Sequence, residues 1–313
     1  MPSLIVLAIG GNSLIRDEQH RTVPDQWVLA RETCRHIAEI VAAGHQVVVT
    51  HGNGPQVGFI VRRSELALHE LHPVPLDSCD ADTQGAIGYM IQQSLENEFT
   101  RRRLAKMAVA VVTQVEVAAD SPAFTRPTKP IGSFMDEATA HARAAQEGWT
   151  IREDAGRGWR RVVPSPDPLA IVEIEAIRTL VRAGFVVTAV GGGGIPVVRN
   201  ARGELHGVEA VIDKDLASAL LAIALQADQF VISTAVSRIA LDFGTPRERP
   251  INRMTLDEAR RHLADGQFGE GSMAPKVRAI VNYLEAGGRR AIVTRPDDLE
   301  RAVDGEAGTI VER

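Results

Sequence analysis

Four side chains stand out by their rarity. Among the 35 basic residues of this 313-residue sequence only Lys106, Lys129, Lys214 and Lys276 are lysines, and all the others are arginines. A chain that uses arginine for generic positive charge keeps lysine where a compact ammonium on a flexible stem is needed and a planar guanidinium does not fit. Lys214 lies between two carboxylates in Asp213-Lys214-Asp215, at the expected start of a helix. There either aspartate could be an N-cap, or the trio a surface ion pair. Lys276 follows Gly271-Ser272-Met273-Ala274-Pro275 and falls in the first turn of another expected helix, a poor place for a cation unless an anion answers it. Lys129 is expected in a loop restricted by Pro127 and Pro130. Lys106, beside Arg101, Arg102 and Arg103, reads as a chance survivor. Amines placed in this way suit the positioning of anions.

Glycine supplies the second set of candidates. Gly10-Gly11-Asn12 and Gly52-Asn53-Gly54 each fall between an apolar strand and a helix, and Gly191, Gly192, Gly193 and Gly194 follow a third apolar run. Glycine lets backbone approach a ligand closely, and free N–H groups at a helix start attract phosphate or carboxylate. One such loop is as readily a tight turn as a binding loop; three at one sheet edge favour a ligand. His51 adjoins the second loop, where a structural or hydrogen-bonding role is favoured over that of a base. Neither G-x-x-x-x-G-K-[ST] nor G-x-G-x-x-G occurs, so phosphate is held by a different arrangement and a dinucleotide oxidoreductase is disfavoured.

The elements that must position these residues can be read from hydrophobic patterning. Buried strands are expected at 4–9, 47–50, 108–112, 185–190, 229–233, 238–243 and 290–294. Helices are expected at 28–41, 57–71, from 82 past 95, and at 169–183, 215–227, 256–264 and 274–286. This alternation predicts a single α/β domain over 1–313, a three-layer αβα sandwich with an open, mainly parallel sheet. Ligands then bind beyond the carboxyl ends of its strands. Residues 122–166 break the rhythm with Pro122, Pro127, Pro130, Pro164 and Pro166 and a charge-dense run, and read as a small inserted subdomain or lid.

Composition narrows the function classes. A hydrophobic fraction of 44% and a charged fraction of 24% describe an ordinary globular chain. A net charge of −5 argues against nucleic-acid binding by phosphate neutralisation. No apolar run is long enough for a membrane helix and the first residues carry no basic leader, so the expected location is cytoplasmic. Cys34 and Cys79 form neither a disulfide framework nor a metal pattern.

The segments AIGGNSL, THGNGPQVG, LDSCDADTQGAIGY, PTKPIG, EDAGRGWRRVVPSP, GGGGIPV, GVEAVIDKD and GSMAPK, spread from residue 8 to residue 276, together resemble the carbamate kinases of the amino-acid-kinase superfamily. The resemblance implies a homodimer that transfers phosphate between ATP and carbamate, giving ADP and carbamoyl phosphate, with Mg2+. It implies that Lys214 and Lys276 stabilise the transferring phosphoryl group, that Asp215 orients both, and that Lys129 reaches the carbamoyl phosphate end. Gly10, Gly11, Asn12, His51, Gly52, Asn53, Gly54, Gly192 and Gly193 would surround phosphate and carbamate. Asp213, Thr234, Ala235, Met273 and Lys276 would contact nucleotide, and no residue is assigned to a metal. Ala8 stands where many relatives outside this family carry a lysine, and Lys214 would supply that charge. Thr234-Ala235-Val236-Ser237 departs from the family pattern near the adenine. Two alternatives stay open: another phosphotransferase of the superfamily, or a nucleotide sensor without catalysis.

Overall fold

The computed structural model describes residues 2–10, 14, 15, 17, 19–153 and 156–313. Along the chain it forms β1 (Leu4–Ile9), α1 (Val23–Ala42), β2 (Gln46–His51), α2 (Gly54–Leu66), α3 (Leu76–Arg102), β3 (Ala108–Ala110) and β4 (Gln114–Val117). There follow β5 (Lys129–Met135), α4 (Glu137–Glu147), β6 (Thr150–Glu153), β7 (Trp159–Val163), β8 (Pro168–Ile171), α5 (Ile174–Arg182) and β9 (Val186–Thr188). The next elements are β10 (Ile195–Arg199), β11 (Leu205–Gly207), α6 (Lys214–Leu225), β12 (Gln229–Ser233), β13 (Ala240–Leu241) and β14 (Arg249–Pro250). The chain closes with β15 (Arg253–Thr255), α7 (Leu256–Ala264), α8 (Met273–Glu285), β16 (Arg290–Thr294), α9 (Leu299–Val303) and β17 (Thr309–Glu312).

The central sheet has eight strands in the order β15-β17-β16-β12-β1-β2-β9-β3. Every neighbouring pair in it is parallel except β16 with β17. Strand β1 shows why it sits at the centre. Val6 and Ala8 project into the core shared with α6 and α8, while Ile5, Leu7 and Ile9 project into the core shared with α1 and α3. Side chains alternate across a strand, so a continuous apolar run is satisfied only by helices on both faces. The expected αβα sandwich is the observed architecture.

Besides the two-stranded β13-β14, two smaller sheets stand apart from it. One has the order β11-β10-β4-β8, and the other, β5-β7-β6, is antiparallel throughout and is accompanied by α4. Several expected boundaries move. Lys129 opens strand β5 opposite Val163 rather than lying in a loop, because its neighbours pair with β7. The expected helix over 169–183 divides into β8, paired with β4, and α5, with the Glu173 carboxylate between them accepting from Gln114 N and Nε2 at 2.8 Å each. Residues 238–243 supply only the short β13, which ends at the left-handed Asp242 (φ 52°). Helix α3 starts six residues earlier than expected, behind Pro75, and Leu76 N donates to Glu209 Oε1 at 2.9 Å. Its buried face carries Asp80, Thr83 and Gln84 as well as Ile87 and Ile91. Those polar residues hide the helical periodicity from a reading based on apolar spacing.

Candidate active site

Helices α6 and α8 bring two of the lysines together. Asp213 is the N-cap of α6, its Oδ1 accepting from Asp215 N at 3.0 Å. Lys214 and Asp215 are therefore the first helical residues, fixed in direction by the cap. Lys214 Nζ donates to Asp215 Oδ1 at 2.5 Å, and Lys276 Nζ donates to Asp215 Oδ2 at 3.2 Å and to Ser272 O at 3.2 Å. Asp215 is thus the anion that makes Lys276 tolerable in the first turn of α8. The side chains are 14% (Lys214), 16% (Lys276) and 5% (Asp215) exposed, which excludes the surface ion pair left open by the sequence. Burial alone would push the Asp215 carboxyl upward; the two ammoniums overcome it and hold the group below the usual carboxylate range. The triplet carries two positive charges and one negative, a net cation with its ammoniums pre-positioned.

Lys129 reaches the same place from the small antiparallel sheet. Its Nζ donates to Asp213 Oδ2 at 2.8 Å, so one carboxylate caps α6 with one oxygen and holds Lys129 with the other. Lys106 instead donates to Gly184 O at 3.4 Å.

The glycine loops meet at the carboxyl ends of β1, β2 and β9, which are adjacent and parallel. Gly10 N donates to Ser233 O at 3.0 Å; Gly11 and Asn12 lie outside the described residues. After β9 the chain turns through Val190 at φ 53° into Gly191 and Gly192. A Cβ on Gly191 would stand 2.4 Å from His51 Nε2, and one on Gly192 would stand 2.1 Å from Asn53 Nδ2. Gly191 and Gly192 are glycine because backbone passes where the His51 and Asn53 side chains already stand, and Gly193 and Gly194 because a Cβ would meet Ile212 O at 2.6 Å and Val115 Cγ2 at 2.2 Å. Thr50 Oγ1 and Ser218 Oγ lie 2.6 Å apart, and Ser218 Oγ donates to Lys214 O at 2.5 Å, tying β2 to the start of α6.

His51 is fully buried, its Nδ1 3.2 Å from Gly52 O. Burial lowers its pKa to about 4 from 6.5; the Gly52 hydrogen bond opposes this and the nearby Lys214 adds to it. A neutral imidazole at physiological pH suits a fixed hydrogen-bonding role. The unfolded chain binds a proton here below pH 6.5 but the folded chain only below about 4, so this stability contribution is complete above 6.5 and lost as pH falls toward 4. The stability difference between wild type and His51→Gln should therefore grow from pH 4 to 6.5, at up to about 1.4 kcal/mol per pH unit. An imidazole resonance titrating near 6.5 by NMR overturns this.

Thr234 and Ala235 follow the carboxyl end of β12, Thr234 N donating to Thr294 O at 2.8 Å, and Met273 opens α8 partly packed on the core. Sequence reasoning assigned no role to Asp80, Thr83 and Gln84 of α3. Gln84 Nε2 donates to Gly191 O (2.9 Å) and Thr113 O (3.0 Å) and its Oε1 accepts from Thr113 N (2.7 Å), while Asn53 Nδ2 donates to Asp80 Oδ1 and Thr83 Oγ1 at 2.8 Å each. Their signal was polar residues at i, i+3 and i+4 on a helix face otherwise buried. Beside them lies a cavity of about 930 Å3 whose lining includes Asn53, Lys129, Arg21, Arg62, Arg63 and Arg160. Its charged lining residues are all cations, which suits an anionic ligand.

Residues 3–295 match the Amino acid kinase family. The chain belongs to that family and, within it, to the carbamate kinase group. A carbamate kinase of Pyrococcus horikoshii is 47% identical over 99% of both chains. A carbamate kinase-like protein of Escherichia coli is 46% identical, over 99% of this chain and 98% of its own. Among solved structures, carbamate kinase from Giardia lamblia bound to AMP-PNP matches with TM-score 0.93 at 40% identity, covering 99% of this chain and 98% of that one.

Proposed function

We propose that this protein is a carbamate kinase, transferring the γ-phosphoryl group of ATP to carbamate and returning it from carbamoyl phosphate to ADP. The observation that carries the reading is the Lys214–Asp215–Lys276 triplet, with Lys129 anchored one residue away on Asp213. Carbamate brings an anionic oxygen, so its attack needs no general base; the obstacle is repulsion between it and an anionic phosphoryl group. Lys214 and Lys276 meet that obstacle with fixed ammoniums, and Asp215 holds both in place. The peptide N–H groups of Gly54 and Gly192 add dipoles around the phosphate, whereas those of Gly10, Gly52 and Gly193 donate to Ser233 O, Ile9 O and Val190 O.

ATP and ADP lie toward Asp213, Thr234, Ala235 and Met273. Among the described residues no group of three or more His, Cys, Asp or Glu could hold a metal ion, and Asp215 is occupied by its two lysines. A magnesium ion bound by the phosphates of the nucleotide would neutralise phosphate charge there. Residues 122–166 act as the lid that carries Lys129 over the acceptor. A nucleotide sensor would have no use for lysines so arranged, which disfavours that alternative. A homodimer is supported by exposed Tyr89, Met107 and Val112 around the edge strand β3, and light scattering tests it. Among the described residues no helix is long and apolar enough to cross a membrane.

The deciding assay is ATP formation by the purified protein from ADP and carbamoyl phosphate, with and without magnesium; no ATP in either refutes the reading. Lys129→Ala should raise the KM for carbamoyl phosphate while the ADP affinity, measured by calorimetry, changes little. An unaltered KM removes Lys129 from the acceptor site.

A further inference from the structure

Asn53 lines the cationic cavity yet is only 3% exposed, and its orientation can be derived. Thr83 Oγ1 donates its single proton to the Asp80 carbonyl at 2.9 Å, so toward Asn53 it can only accept. The group it receives must be the amide nitrogen, and Asn53 Nδ2 does lie 2.8 Å from it. The second amide hydrogen goes to Asp80 Oδ1, also at 2.8 Å. Asp80 is itself buried, its Oδ2 is without a partner among the described residues, and burial raises its carboxyl to about 8, with the Asn53 hydrogen bond working against the rise and Asp77 adding to it. Protonated on Oδ2 or ionised, Asp80 still accepts at Oδ1, and Thr83 forbids the flipped amide in either state. Both donors of Asn53 are spent inside the protein. Its carbonyl oxygen, with no hydrogen-bond partner among the described residues, is what remains for the cavity.

We propose that Thr83 and Asp80 act as positioning residues that lock Asn53 with its carbonyl oxygen toward the acceptor, where it takes a hydrogen bond from the amino group of carbamate and rejects the methyl group of acetate. This rests on the carbamate kinase reading and adds the element that selects the acid. Carbamate and acetate are nearly isosteric, so size cannot separate them. A buried acceptor left facing a methyl group loses its hydrogen bond and its hydration together, which penalises the wrong substrate about 10- to 100-fold.

The test compares kcat/KM for carbamoyl phosphate with that for acetyl phosphate, both read as ATP formed from ADP. Wild type should favour carbamoyl phosphate by about 10-fold or more. Asn53→Ala should bring the ratio down toward unity, and Thr83→Val combined with Asp80→Leu should do so as well, because the amide then has no reason to point its nitrogen inward. Asp80→Asn, which can still present an oxygen to the amide, should keep the ratio. A loss of stability alone would lower both rates and leave the ratio where it was. Wild type that uses the two acyl phosphates equally well overturns the proposal without reference to any variant. So does an Asn53→Ala enzyme with the wild-type ratio. Wild type that turns over neither acyl phosphate refutes the kinase reading itself and the selectivity with it, so the two failures are distinguishable.

Discussion

Replacing Lys214 or Lys276 with alanine should lower kcat by about 100-fold or more while leaving the protein folded, the scale of losing one pre-positioned transition-state donor. Each ammonium shares the Asp215 carboxylate with the other, so either variant retains a neutralised Asp215 and a well-packed α6–α8 contact. The loss therefore falls on the chemical step. Arginine should not rescue either position. A guanidinium is broader and planar, and the sites are enclosed, with 14% and 16% of the two side chains exposed. In a chain whose other basic residues are nearly all arginine, failure of Lys→Arg is the sharper result, because it shows why lysine was kept. Steady-state kinetics at saturating ADP and carbamoyl phosphate check it, alongside thermal melts. Near-normal kcat in both alanine variants would remove the two lysines from the phosphoryl site.

The second large effect belongs to Gly192→Ala. A methyl group there would sit 2.1 Å from Asn53 Nδ2 and 2.5 Å from its Cγ, at φ +71°. The amide cannot swing away, since both its hydrogens are held by Asp80 and Thr83. Either the glycine turn or the Asn53 loop must move, and a displacement of this kind next to reacting groups costs about 100-fold in kcat/KM. The stability cost combines left-handed strain with overpacking, about 2–4 kcal/mol together. Gly203→Ala separates the two contributions. Gly203 has φ +82° but open space around the missing Cβ, so its alanine variant should lose about 1 kcal/mol and keep full activity. Equal effects from the two substitutions would mean that backbone strain, not the approach to Asn53, explains Gly192.

Much of the central sheet was legible because its strands are continuous apolar runs, and only burial on both faces accounts for such runs. The short closing elements β15, α9 and β17 escaped that reading, and so did elements whose residues serve two demands at once. Helix α3 buries Asp80, Thr83 and Gln84 to hold the loops of β2 and β9, so its first turns lack an apolar stripe. Pro168–Ile171 reads as the start of a helix until β4 is there to pair with it. Lys129 has the flanking prolines of a loop, yet β7 draws it into a strand.

The chemistry within reach was already written in residue types: three lysines amid arginine, glycines after three strands, and no base that the reaction requires. Residue type and local spacing carry that information, since charge, size and backbone freedom are properties of single residues. The partnerships came from packing. Lys276 meets Asp215 across 61 positions of chain and Lys129 meets Asp213 across 84, and Gly192 is shaped by an asparagine on another strand's loop. Contacts of that kind are set by how α6, α8 and the small antiparallel sheet pack, and packing is a property of the whole chain.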